Sequence, residues 1–150
     1  MNLARVAPAF VEMAHRIIWA TVATASSSGE IRTRVLHPLW EWDGSTLSGV
    51  IATYPTPLKR KHLGENPRVS LNYWDDSQDA CTAECDARLH TDVATKRATW
   101  DKFASTPECR FRSFAARRLG HPRIGPVRRD RVGALSLAGL SGVDDARRTG

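Results

Sequence analysis

Cysteine is scarce in this chain, with only Cys81, Cys85 and Cys109. An odd, sparse count argues against a disulfide scaffold and fits a reducing, cytoplasmic setting. Long apolar runs are missing too. None approaches the roughly 18–20 residues that carry a helix across a bilayer, so no membrane span is expected. Met1 to Arg16 includes Glu12 and has no apolar core followed by a cleavage site, so it does not read as a secretory leader. Lysine is absent after Lys102, and tryptophan and tyrosine are absent after Trp100.

Those last absences divide the chain. Residues 1–108 hold 12 Lys and Arg against 13 Asp and Glu, whereas residues 109–150 hold 10 Arg against 3 Asp. The whole basic excess therefore sits at the C-terminal end. The length suits one core and not two. The expectation is a folded domain over 1–108 and a basic, Arg-rich tail over 109–150, diverged or of the composition that a GC-rich coding region yields out of frame. Within it, Val132 to Val143 has the pattern of one last strand. Arg110, Arg112, Arg117, Arg118, Arg123, Arg128, Arg129 and Arg131 are numerous enough to neutralise phosphates. No motif organises them and no aromatic follows Phe114, which argues against nucleic acid as the partner.

The first 108 residues alternate between two periodicities. Leu3, Val6, Phe10, Met13 and Ala14 make one helical stripe over Asn2 to Arg16. Ile17 to Thr24 is β-branched and aromatic and reads as a buried strand. A turn at Ser26 to Gly29 leads to alternation from Ile31 to Leu39, and Asp43-Gly44 marks a hairpin into a strand over Thr46 to Thr53. Arg68 to Trp74 and Ala80 to Leu89 alternate again. Asp92 caps a helix running to about Ala104. Consecutive antiparallel strands with one short inserted helix predict a small closed or half-closed barrel.

The inserted helix is the most informative local feature. Thr56 is a good N-cap, Pro57 occupies the first helical position, and Asn66 before Pro67 stops the helix near Gly64. Free N–H groups at such a start favour an anion. Lys59 lies in the first turn, and Arg32 and Arg34 share one face of a preceding strand, so a phosphate group is the natural ligand. His62 is expected on the exposed side of this helix. Cys81 and Cys85 lack a second pair and a nearby His pair, so no metal site is expected. Trp40, Trp42 and Trp74 read as barrel filling.

Three segments follow one another in order: ATVATASSSGEIRTRVL, WDGSTLSGVIAT and TPLKRKHLGENPRVSLNYW. They supply an early strand, a turn with Gly, a strand bearing Arg, a strand ending in Thr, a Thr-x-x-Lys helix start and Asn-Pro-x-Val-x-Leu. In this combination Ala20 to Trp74 resembles the pyridoxamine 5′-phosphate oxidase-like, FMN-binding split-barrel superfamily. The resemblance implies a mainly β (α+β) fold, an antiparallel split β-barrel with short flanking helices. It implies a homodimer with FMN at the subunit interface and a small-molecule substrate, in an oxidoreductase whose chemistry belongs to the cofactor. Carried over position by position, Arg34, Val35, Leu36 and His37 match the strand that meets the flavin. Thr53 matches the hydroxyl residue ending the next strand, and Thr56 and Lys59 match the phosphate-binding helix start. The family often has Arg immediately before that lysine; this chain has Leu58, with Arg60 or Arg32 as candidate replacements. The deazaflavin F420 is the alternative cofactor, and a non-catalytic cofactor-binding or interaction protein is the alternative class. No catalytic residue is assigned, and the tail does not resemble the substrate-binding C-terminus of the namesake oxidase.

Overall fold

The computed structural model of the chain describes residues 2–106 and 132–146. Helix α1 spans Leu3–Ile17 and buries Ala7, Phe10, Met13 and Ala14, the core of its apolar stripe. It ends at Ile18, whose φ of 75° is strained for a β-branched residue. Burial of the Ile18 side chain holds it there. Strands β1 (Ala20–Ala25), β2 (Ile31–Leu36), β3 (Pro38–Trp42) and β4 (Leu47–Thr53) follow, then helix α2 (Pro57–Glu65). Strands β5 (Arg68–Trp74) and β6 (Ala80–His90), helix α3 (Val93–Ser105) and strand β7 (Gly133–Ala146) complete the described chain.

All seven strands form one antiparallel sheet in the order β2-β1-β5-β6-β7-β4-β3. The sheet is not closed by hydrogen bonds, since β2 and β3 are its two edges. Yet only His37 separates those edges along the chain. Successive Cα atoms lie about 3.8 Å apart, so the two ends of the sheet meet at one corner and the sheet curls into a split barrel. The alternation from Ile31 to Leu39 reads as one strand but forms two. Pro38 has no N–H with which to extend the β2 ladder, and the chain breaks at His37 to open β3.

The strand expected over Val132 to Val143 forms as β7. It does not lie at the margin, for Gly133 to Leu137 pair with Thr53 to Gly49 on one side and β7 pairs with β6 on the other. The expectations for residues 109–131, Cys109 and the arginine cluster included, lie outside the described residues.

The core packs α1 against the inner face of the sheet. Phe10 meets the ring of Trp40 edge-on at 5.1 Å and that of Tyr73 at 6.1 Å, and the Trp40 indole N–H donates to the Tyr73 hydroxyl at 2.8 Å. Burial drives the Tyr73 hydroxyl pKa upward. Trp40 is barrel filling and Trp42 half so, whereas Trp74 stands exposed on the outer face of β5. Cys81 and Cys85 lie buried on the inner face of β6, neither in a disulfide, and burial pushes the Cys85 pKa up to about 12.

Candidate functional site

Thr56 caps α2, its hydroxyl accepting the Lys59 N–H at 3.4 Å, and Pro57 is the first helical residue. Lys59 does not extend into solvent. It is 4% exposed, folded back beneath the helix start, where Nζ donates to the Thr53 hydroxyl at the end of β4 and to the Tyr54 carbonyl at 2.8 Å. An ammonium carries three donors, so one stays available. Burial, with the charge of Arg34 adding to it, lowers the Lys59 pKa to about 8.

Arg34 comes from β2. It lies opposite Val22 in the β1 register, and its side chain leans along the sheet so that Nη1 donates to the Thr24 hydroxyl at 3.0 Å. Burial, then the neighbouring Arg32, holds its pKa below the ordinary guanidinium value. Among the described residues no carboxylate pairs with Arg34 or Lys59. Two partly desolvated cations close enough for one to depress the other's pKa, with no counter-charge among the described residues and with the Leu58 N–H at the helix start, are an arrangement suited to an anion.

The expected residues therefore separate. Thr53, Thr56 and Lys59 meet at the start of α2, and Arg34, held by Thr24, lies near enough for its charge to bear on Lys59. Val35 points to the opposite face of β2 and is 64% exposed. Leu36 leans on the core. His37 sits at the barrel corner, edge-on to Phe103 at 5.2 Å and tilted against Trp19 at 5.6 Å. Burial, and then the nearby His15, lowers its pKa to about 4. Both candidate replacements for the missing arginine are engaged with backbone carbonyls in this structure. Arg60 Nε donates to the Pro55 carbonyl and Arg32 to the carbonyl of its neighbour Ile31. Arg34 is the second cation instead.

His62 corrects an expectation. It is fully buried, not exposed, because α2 lies on β1 with Lys59, His62 and Leu63 forming its inner face. Its Nδ1 is 3.1 Å from the Thr24 hydroxyl that Arg34 also contacts. Thr24 was not singled out from the sequence, and His62 was expected at the surface, away from the site. The available signals were modest: Thr24 is the polar end of the inward set Ala20, Val22, Thr24, and His62 stands three residues after Lys59, on the same helix face.

A separate cleft of about 790 Å³ opens beyond the other end of α2, lined by Arg60, Leu63, Arg88, Leu89 and Ser136 among others. None of Arg34, Thr53, Thr56 and Lys59 lines it, so charge and hydrogen bonding, not concavity, locate the candidate site. Among the described residues no cluster of His, Cys, Asp and Glu is placed to hold a metal ion.

No protein-family model matches the chain, and no curated protein does. Solved structures do. A Clostridium acetobutylicum protein related to general stress protein 26 of B. subtilis, of the pyridoxinephosphate oxidase family, superposes with a TM-score of 0.67 at 16% identity. The match covers 98% of this chain and 92% of that one. A pyridoxamine 5′-phosphate oxidase-related, FMN-binding protein from Nostoc punctiforme gives 0.64 at 18% identity, over 97% and 86% of the two chains. An F420 reductase gives 0.59 at 12% identity, over 89% and 94%. The chain has the pyridoxamine 5′-phosphate oxidase-like split-barrel fold. Within this split barrel Lys59 joins the start of α2 to the end of β4, and Arg34 reaches from β2 to Thr24 of β1.

Proposed function

We propose that the chain binds FMN through its phosphate at the start of α2 and works as a homodimeric, cytoplasmic, flavin-dependent oxidoreductase on a small-molecule substrate. The observation that carries this reading is the pair Arg34 and Lys59, two cations drawn into the protein with no carboxylate among the described residues to balance them. The group fits the residues present. The third Lys59 donor, the Arg34 guanidinium and the Leu58 N–H at the start of α2 would hold the phosphate, and Thr53 and Thr56 orient the lysine and the helix start. Bound FMN supplies hydride or two-electron transfer, while the protein binds it, orients it and excludes water.

F420 is the second reading, favoured by the structural likeness to an F420 reductase. Titrating the purified protein with FMN and with F420 while recording the absorption spectrum separates the two. Binding of neither removes the oxidoreductase reading. Binding without turnover of any electron donor makes the chain a non-catalytic cofactor-binding protein.

The homodimer draws support from edge strand β2, which shows Ile31 and Val35, 63% and 64% exposed, on the face away from Arg34. Exposed apolar side chains on an edge strand invite a second chain. Sedimentation of Val35→Glu tests this, with a monomer of weakened FMN affinity expected. An unchanged wild-type monomer overturns it.

A further inference from the structure

The hydrogen bonds behind Arg34 determine a tautomer. A guanidinium only donates, so the Thr24 hydroxyl accepts from Arg34 and retains one hydrogen to give. If His62 Nδ1 accepts that hydrogen, a single polar atom of the set, Nε2–H, is left over. If Nδ1 instead donated, both the threonine hydrogen and the Nε2 lone pair would be left over. Buried polar groups pair wherever the geometry allows, so the arrangement that leaves one group over is the favoured one: His62 carries its hydrogen on Nε2 and accepts at Nδ1. Nε2 indeed has no partner among the described residues.

We propose that His62 is a positioning residue for the anion site: acting through the Thr24 hydroxyl, it fixes the Arg34 guanidinium beside Lys59 in the orientation that receives a phosphate. This rests on the cofactor-phosphate reading above. Packing alone does not explain an imidazole here. A leucine would fill the space between α2 and β1 without leaving an unpaired polar atom in the core. What the imidazole adds is one acceptor, and that acceptor faces the hydroxyl on which Arg34 rests. The same helix thus supports both cations, Lys59 directly and Arg34 through Thr24 and His62.

The test measures FMN dissociation constants for the full chain and for Lys59→Ala, His62→Leu, His62→Asn, Arg34→Ala and the double variant Arg34→Ala/His62→Leu. Loss of one buried hydrogen bond in His62→Leu weakens FMN about tenfold. His62→Asn, whose amide oxygen lies near the Nδ1 position, rescues binding to within about threefold of the wild type. Once Arg34 is alanine, His62→Leu costs nothing more, because its effect runs through that residue. If Lys59→Ala binds FMN as the wild type does, the phosphate-site reading fails. If Lys59→Ala weakens binding but His62→Leu does not, or if His62→Leu keeps its full effect without Arg34, only the positioning role fails. Should His62→Leu not fold, nitrogen NMR of the wild-type imidazole decides. Protonation at Nε2 is expected, and a proton on Nδ1 overturns the proposal.

Discussion

The indole of Trp40 lies against the backbone of Gly49, its cross-strand partner between β3 and β4. A Cβ at Gly49 would stand 2.8 Å from Cε3 and 3.1 Å from Cδ2 of that ring. The ring cannot retreat, since its N–H is held by Tyr73 and its edge by Phe10. Gly49→Ala should cost about 1–3 kcal/mol, the usual penalty for overpacking a filled core. Chemical denaturation measures it. The cost should shrink when Trp40 is first replaced by leucine, and equal costs in both backgrounds would show that the contact is not the cause.

Lys59→Ala should weaken FMN binding by about one to two decades, the worth of a charge-assisted hydrogen bond of roughly 1.5–3 kcal/mol. Lys61→Ala, on the exposed side of the same helix, should change it much less. Fluorescence titration of the two variants side by side makes the comparison.

The depressed Lys59 pKa gives binding a pH signature. A phosphate monoester is already a dianion above about pH 6, so between neutrality and pH 9 the lysine is the group that changes. FMN affinity should fall as pH rises through about 8, where Lys59 loses its proton. A bound anion favours the charged lysine, so binding near pH 8 should take up protons from solution. Calorimetry in buffers of different ionisation enthalpy detects that uptake, and proton release would contradict it.

His37 gives stability its own pH dependence. The folded-state pKa is about 4 against an ordinary value of 6.5. Between those values the unfolded chain binds the extra proton, so stability is lost as pH falls through that window. The carboxylates whose pKa is lowered, Asp43, Glu65, Asp75 and Asp92, add their losses only below their own unfolded values near 4. From pH 6.5 to 5 the decline should therefore flatten in His37→Leu. An undiminished decline in that variant would assign it to another group.

Local chemistry was legible in the sequence where a residue's own covalent structure decides the outcome. Thr56-Pro57 located the start of α2, Asp92 the start of α3, and the alternation of Val69, Leu71 and Tyr73 gave β5 with its inner face. The fold class followed from the order of those pieces. Pro38 was harder, because its neighbours continue the alternation and only its missing N–H ends the ladder. The approach of His62 to Thr24 joins positions far apart in the chain, and no local periodicity encodes how α2 sits on β1. Lys59 was placed in the right turn, but its retreat to Thr53 and Tyr54 depends on the path of β4 into α2.

The position of β7 has a consequence for how the molecule comes into being. Strands β2, β1, β5 and β6 form one hydrogen-bonded ribbon and β4 with β3 another, and among the described strands β7 alone bridges them. It is also the last of the described strands to be synthesised, with Leu137 reaching back to Gly49. A nascent chain that has reached α3 holds two ribbons whose facing edges are bare, at the stage when unpaired edges are most prone to join other chains. Such non-local pairing is slow. The barrel is thus assembled in the manner of a keystone arch, open until its final piece arrives. A ribosome that stops before Gly133 releases a sticky fragment in place of a smaller version of the same protein.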